Sequence, residues 1–362
     1  ADHIWSVNSD AVVIFEHLAD WSEEKVLAEH GIQLWRNMNG SYRSAVGGGS
    51  GDFSGSYEKT AGLYGGWVSY MESHDEERLG YSASQSSVTS IKSLSNRLKR
   101  LGSLAAFMIL SPGAKMIWQF GELGYDISGG NGDTSEKDSP WGWIDENLSS
   151  DDFKYAKARV GLLTSYQELL SIRRHNSDLF DVANQFNSSK FSWSVSDANW
   201  SNGRFITLRN SAGTKEMVVA MNPGTKKATF NYTFDKPNGT YYINSKSQSA
   251  SGIEFDAKAG TITLPAHTYV VISNIEDAMS GVEDVEDGLN EAKVKIYPNP
   301  ATDYVTVEGG EVESIEIYSL AGALVASEKA EATIGVSDLA NGTYVVKVTT
   351  AEGVKVEKLI KK

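Results

Sequence analysis

Two short apolar runs constrain this chain more than any other feature. Val12-Val13-Ile14-Phe15 runs into Glu16, and Trp67-Val68-Ser69-Tyr70-Met71 runs into Glu72-Ser73-His74-Asp75. A short apolar run that stops at an ionisable residue reads as a buried strand with a polar group presented at its carboxyl end.

Their surroundings give these strands a context. Residues 1 to about 178 alternate strand and helix, with strands predicted over 12–16, 32–36, 67–72 and 114–118. Asp20 and Glu23 have capping-box spacing, at the start of a helix that stops before Gly31. Ile91, Leu94, Leu98, Leu101 and Leu104 make a helical apolar stripe. A last helix begins at Ser150 and ends in Arg173-Arg174-His175, which complement the helix dipole. Repeated strand–helix units imply a parallel sheet. Carboxylates at strand ends are how a β/α barrel presents catalytic groups at its carboxyl-terminal rim. Two of them, Glu16 and Asp75, suit acid chemistry on a sugar bond.

The period changes after that. All nine Trp precede residue 201. Over 179–275 the runs Phe205–Leu208, Met217–Met221 and Tyr269–Ile272 read as strands, with turns at Asn222-Pro223-Gly224 and Pro237-Asn238-Gly239, which predicts an all-β domain. Residues 276–292 hold seven acidic residues and no basic one, and read as a solvated acidic linker. Residues 293–362 are expected to form a small carboxyl-terminal β-sandwich, with strands over Ser314–Tyr318 and Thr343–Val348.

Composition narrows the function. The net charge of −14 over 362 residues argues against nucleic-acid binding and fits a neutral substrate. No run is long and apolar enough for a transmembrane helix. The absence of cysteine excludes disulfides, thiolate catalysis and thiolate metal sites. No signal peptide follows Ala1. The opening residues read as a helix end and a turn running straight into a buried strand, so an amino-terminal truncation is expected. Three further features have ordinary readings. Trp35, at the end of a strand, is a candidate for stacking on a sugar ring, against the alternative of a core tryptophan. Gly47–Gly51 lacks the Lys-Ser or Lys-Thr of a phosphate loop and reads as a flexible loop. The acidic, glycine-rich stretch from Asp126 to Asp133 fails calcium-loop spacing.

Residues 1–178 resemble the carboxyl-terminal half of a (β/α)8 barrel of glycoside hydrolase family 13, the α-amylase family. Val13-Ile14-Phe15-Glu16 is similar to its fifth strand with the general acid. Glu72-Ser73-His74-Asp75 is similar to the seventh-strand motif, with Ser73 where the family usually has Asn. Pro112-Gly113 through Gly121-Glu122 is similar to the eighth-strand signature, with Ala114 where the family often has Ile-Pro, and Lys137–Trp141 fits the loop after it. The resemblance implies Glu16 as general acid/base, Asp75 as transition-state stabiliser and His74 as a ligand of sugar hydroxyls, with Trp35 as a substrate-binding candidate. The nucleophilic Asp and its Arg belong to the fourth strand, which the resemblance does not reach here. The family's calcium depends largely on the other half of the barrel, so no metal or other cofactor is expected in this fragment. The implied activity is retaining hydrolysis of an α-glucan such as starch or glycogen. The alternatives are another α-glucosidic transferase or debranching activity, or a non-catalytic surface glycan-binding protein.

The tail resembles the type A sorting domain of type IX secretion, through Lys295–Ala301, Ile317–Gly322, Leu339–Tyr344 and the closing Lys358–Lys362. It implies engagement of the secretion machinery through residues 293–362 and a secreted or cell-surface location.

Overall fold

The computed structural model describes residues 1–9, 11–53, 66–128, 137–144, 150–180, 194–195, 204–210, 212–248, 250–279, 294–319, 324–351 and 353–362. The chain divides into two compact units, Ala1–Gly281 and Val282–Lys362.

The first unit opens with a parallel sheet in the order β1 (Ile14–Phe15), β2 (Gln33–Asn37), β3 (Trp67–Tyr70) and β4 (Ala114–Met116). Helices alternate with the strands: α1 (Asp2–Val7), α2 (Trp21–Glu29), α3 (Asn39–Val46), α4 (Leu79–Ser84), α5 (Thr89–Lys92), α6 (Leu94–Ile109), α7 (Ser150–His175) and α8 (Ser177–Phe180). Every residue of β3 is buried, as its unbroken apolar run implies. The other apolar run behaves differently. β1 is an edge strand, and Val12, Ile14 and Phe15 are 70%, 44% and 39% exposed because no strand covers their outer side among the described residues.

Two local expectations change. Asp20 is the N-cap of α2, yet its side chain makes no cap bond; its carbonyl accepts from Glu23 and Glu24, and the Glu23 carboxylate turns to His17 at 2.9 Å. The apolar stripe from Ile91 to Leu104 is split, because Ser93 is extended (φ −67°, ψ 134°) and separates α5 from α6.

The all-β part of this unit has two antiparallel sheets. One has the order β5 (Ser194–Val195), β6 (Arg204–Arg209), β7 (Glu216–Asn222), β12 (Thr268–Ser273), β9 (Tyr242–Lys246). The other has the order β10 (Glu254–Asp256), β11 (Thr261–Leu264), β8 (Ala228–Asn231). The five-stranded sheet is covered on both faces. Side chains alternate along a strand: Val218, Ala220, Val270 and Ile272 share a core with Phe230, Ile262 and Leu264. Met217, Val219, Met221, Tyr269 and Val271 join the core of α6 and α7 with Leu101, Leu104, Leu162 and Leu169. The boundary read near residue 178 is therefore crossed by a continuous core.

Buried arginines tie the same junction. Arg100 on α6 donates to the carbonyls of Ala45 (2.8 Å) and Pro223 (2.5 Å). Arg204 on β6 donates to the carbonyls of Ser50 and Gly51 and lies over the Phe53 ring, which pins the loop that glycine content alone marks as flexible. The first residues of the acidic linker also pack down: Asn176 and Ser171 donate to the carbonyls of Ala278 and Met279. Residues 280–293 lie outside the described residues.

The second unit is a pair of small sheets. One has the order β13 (Lys295–Tyr297), β14 (Tyr304–Glu308), β17 (Thr333–Gly335); the other has the order β16 (Leu324–Lys329), β15 (Val312–Ser319), β18 (Gly342–Thr350), β19 (Gly353–Lys361). Val305, Ile315, Ile317, Val346, Val348 and Leu359 form its core. Ala301 donates to the Ile360 carbonyl at 2.8 Å, and the Ile360 amide donates to Asn299 Oδ1 at 3.0 Å, which joins the opening Pro-rich turn to the terminal strand.

Candidate active site

Glu16 directly follows β1, and His74 and Asp75 lie on the loop after β3, so all three stand at the carboxyl ends of parallel strands. β2 separates β1 from β3, a distance of about 10 Å at ordinary strand spacing. The side chains close that gap. His74 Nε2 is 3.3 Å from Asp75 Oδ1 and 3.9 Å from Glu16 Oε1, and one atom from each of the three lies within 4.8 Å of the others. All three side chains are exposed, and exposed acidic groups commonly gather in this way without an ion.

Aromatic rings frame the cluster. Trp35 on β2 packs edge-on against Tyr70, at 5.4 Å, and against His74, at 5.6 Å between ring centroids. Trp118, just beyond β4, lies 5.8 Å from His74 on a tilted ring. Trp35 is therefore a half-buried wall beside His74. Burial and the nearby Glu76 and Glu16 push the Tyr70 phenol well above its ordinary range.

The loop that carries His74 and Asp75 is tightly laced. Glu76 accepts from the Ser73 amide at 2.9 Å and from the Ser73 hydroxyl, while its other oxygen accepts from Asn37 Nδ2 at 2.5 Å, at the end of β2. The Asp75 amide donates to Ser73 Oγ at 3.3 Å, and Arg78 donates to the Ser73 carbonyl at 2.5 Å. Glu72 is buried and accepts from the Leu79 amide at 2.7 Å. Residue types alone do not single out Trp118, Asn37 or Glu76; the signal is the pair Glu76-Glu77 directly after Asp75, which reads as an ordinary charged turn.

Of the acidic stretch from Asp126, residues 129–136 lie outside the described residues. Asp126 itself pairs with Arg97 at 2.6 Å and Arg159 at 2.9 Å, which accounts for its charge. Among the described residues no helix is long and apolar enough to cross a membrane.

A parallel β/α sheet followed by an all-β part docked on its helices is shared with solved structures at low sequence identity. The chain has this fold in common with the maltotriose complex of a pullulanase mutant from Klebsiella pneumoniae (TM-score 0.54, 15% identity, covering 76% of this chain and 41% of that one). It is also similar to apo pullulanase from the same organism (TM-score 0.53, 16% identity, 75% and 40%) and to an α-amylase from Anoxybacillus (TM-score 0.50, 12% identity, 75% and 54%). The chain thus spans about half, or less, of the length of these structures. No curated protein matches it. Residues 295–362 match the family described as the secretion system C-terminal sorting domain. The chain is cargo for type IX secretion, released or attached at the cell surface.

Proposed function

We propose that residues 1–178 are the carboxyl-terminal half of the barrel of a secreted, retaining α-glucan hydrolase, with β1 to β4 as the fifth to eighth barrel strands. Glu16 is its general acid/base. Asp75 stabilises the oxocarbenium-like transition state, and His74 binds sugar hydroxyls against the Trp35 wall. The reading requires a nucleophilic carboxylate from chain outside residues 1–362, and it takes starch or glycogen as the substrate class.

One observation carries this reading: Glu16 meets the adjacent pair His74-Asp75, far from it in sequence, within 4.8 Å at the carboxyl edge of a parallel sheet. A carboxylic acid there protonates the departing glycosidic oxygen, and a fixed carboxylate beside it opposes the positive charge that develops on the ring. The 12–16% identity of the similar structures leaves the bond cleaved to experiment.

The test is expression of the coding sequence that includes the segment preceding Ala1, with soluble starch, pullulan and maltotriose as substrates. Release of α-anomeric reducing ends, seen by proton NMR before mutarotation, supports the reading. Debranching or transfer products would narrow it to another α-glucosidic activity. Starch binding without turnover by the longer chain would replace it with a non-catalytic glycan binder.

A further inference from the structure

One cavity of the first unit shares no residue with the candidate rim. It lies between α6, α7 and the five-stranded sheet, with a volume of about 70 Å³. Lys99 and Gly102 reach it from one face of α6, and Lys157, Gly161 and Ser165 from one face of α7, at helical spacings. Ser247, just after β9, and Tyr269 on β12 line it from the all-β part.

The two glycines stand there for different reasons. Gly161 is held by packing, since a Cβ on it would stand 3.2 Å from Gln248 Cβ. Gly102 is not. A Cβ on Gly102 would meet Leu162, Tyr269 and Ser165 at 3.5, 3.7 and 3.9 Å, which is ordinary contact, and all three residues line the cavity. A glycine in the middle of a helix costs stability relative to alanine. No neighbouring atom requires it at Gly102; its effect is to leave open the space that a methyl group would fill.

The polar groups of the lining point to one kind of ligand. Lys99 and Lys157 bring two ammonium groups, and neither has an ion-pair partner among the described residues. Ser247 is 2% exposed; its Oγ accepts from the Tyr269 amide at 2.9 Å, and its hydroxyl hydrogen has no acceptor among the described residues. Among the described residues no carboxylate lines the cavity. Like charges at one small cavity repel, and an unmet buried donor is costly; an oxyanion relieves both. The volume is well above the roughly 10–15 Å³ that admits a single water, so a compact group of several heavy atoms fits.

We propose that this cavity binds a phosphoryl group, as free phosphate or as the end of a phosphate ester, with Lys99 and Lys157 pairing its charge, the Ser247 hydroxyl donating to it, and Gly102 keeping the space open. The bound group ties α6, α7 and the segment after β9 together, so occupancy stabilises the junction at which the all-β part packs on the helices. The site stands whatever reaction the rim performs, and its readout needs no turnover.

The experiment is titration of the full 362-residue chain with potassium phosphate, read by calorimetry and thermal melting, against potassium chloride at equal ionic strength. The expected result is saturation at one phosphate per chain, with a dissociation constant of about 1 mM or tighter and a melting temperature that rises with phosphate but not with chloride. Lys99→Gln and Lys157→Gln should each weaken binding about tenfold. Gly102→Ala should weaken it about tenfold or more, yet melt at or above the wild-type temperature without ligand, which damage to the fold would not produce. Glucose 6-phosphate separates the sources: binding tighter than phosphate assigns the end of an ester, and weaker binding assigns the free ion. No saturable heat beyond that of chloride, wild-type affinity in Gly102→Ala, or binding unchanged in both lysine variants would overturn the proposal.

Discussion

Arg100→Met tests the junction between the β/α part and the all-β part. Met keeps the unbranched apolar stem of the side chain and removes its donors. In the wild type, the buried guanidinium satisfies the Ala45 and Pro223 carbonyls at 2.8 and 2.5 Å and lies 3.1 Å from His267 Nδ1. Each buried carbonyl left without a donor costs about 1–3 kcal/mol. Part of that loss is offset, because Met carries no charge to desolvate; burial already pulls Arg100 down to about 10. The net cost is about 2–4 kcal/mol. At roughly 2–4 °C per kcal/mol for a unit of this size, the melting temperature of the first unit falls by roughly 5–15 °C. Urea and thermal denaturation of the full chain read the change. A loss below about 0.5 kcal/mol, the size of an ordinary surface substitution, would refute the view that this arginine clamps a shared core.

Three more outcomes follow from the same geometry. Burial first, and then Arg100 and Lys99, lower His267 from 6.5 to about 4. Its stabilisation is therefore full above about pH 6.5 and is lost as pH falls toward 4. Glu72 has the opposite sign: raised from 4.5 to about 7, it contributes fully below pH 4.5 and loses that contribution as pH rises through 7. Relative to wild type, Glu72→Gln should therefore gain stability with rising pH and His267→Asn should lose it, in urea midpoints measured from pH 4 to 8; parallel profiles would contradict both assignments. Gly80→Ala should destabilise by about 1–3 kcal/mol, since its Cβ would meet the Tyr125 and Gly124 carbonyl oxygens at 2.3 and 2.7 Å. Gly40→Ala is the control: it has open space on α3 and should be neutral or mildly stabilising in the same melts. In the tail, deleting Lys358–Lys362 removes Leu359 from the core and much of the β18–β19 ladder, and should abolish export of a reporter fused to residues 276–362.

Much of this architecture is legible in the sequence because burial and periodicity write themselves there. β3 reads as a buried strand from an unbroken apolar run, and α7 begins and ends at Ser150 and His175, where its acidic first turn and basic last turn put it. Met217–Met221 is apolar at every position because both faces of its sheet are covered, so the run does not say which face meets the helices. That is why a boundary near 178 reads as a break between domains while the packing runs across it. Glu16 can be singled out because it closes an apolar run, and His74 and Asp75 because they lie just beyond another. The groups that hold them cannot: Asn37, Glu76 and Trp118 are ordinary residue types whose meaning comes from strand neighbours far away in sequence. The burial of Glu72 is hidden for the same reason, since a glutamate's burial is set by the fold around it.

The central claim is that Glu16 is the proton donor at a glycosidic bond. A good leaving group needs no proton, so a donor's loss is felt only with a poor one. The decisive measurement is kcat/KM of Glu16→Gln against wild type, in the chain that includes the segment preceding Ala1, on starch and on α-maltosyl fluoride. The account predicts a loss of about 10²–10⁴-fold on starch and less than about tenfold on the fluoride. Equal losses on the two substrates, or wild-type rates on starch, would contradict it.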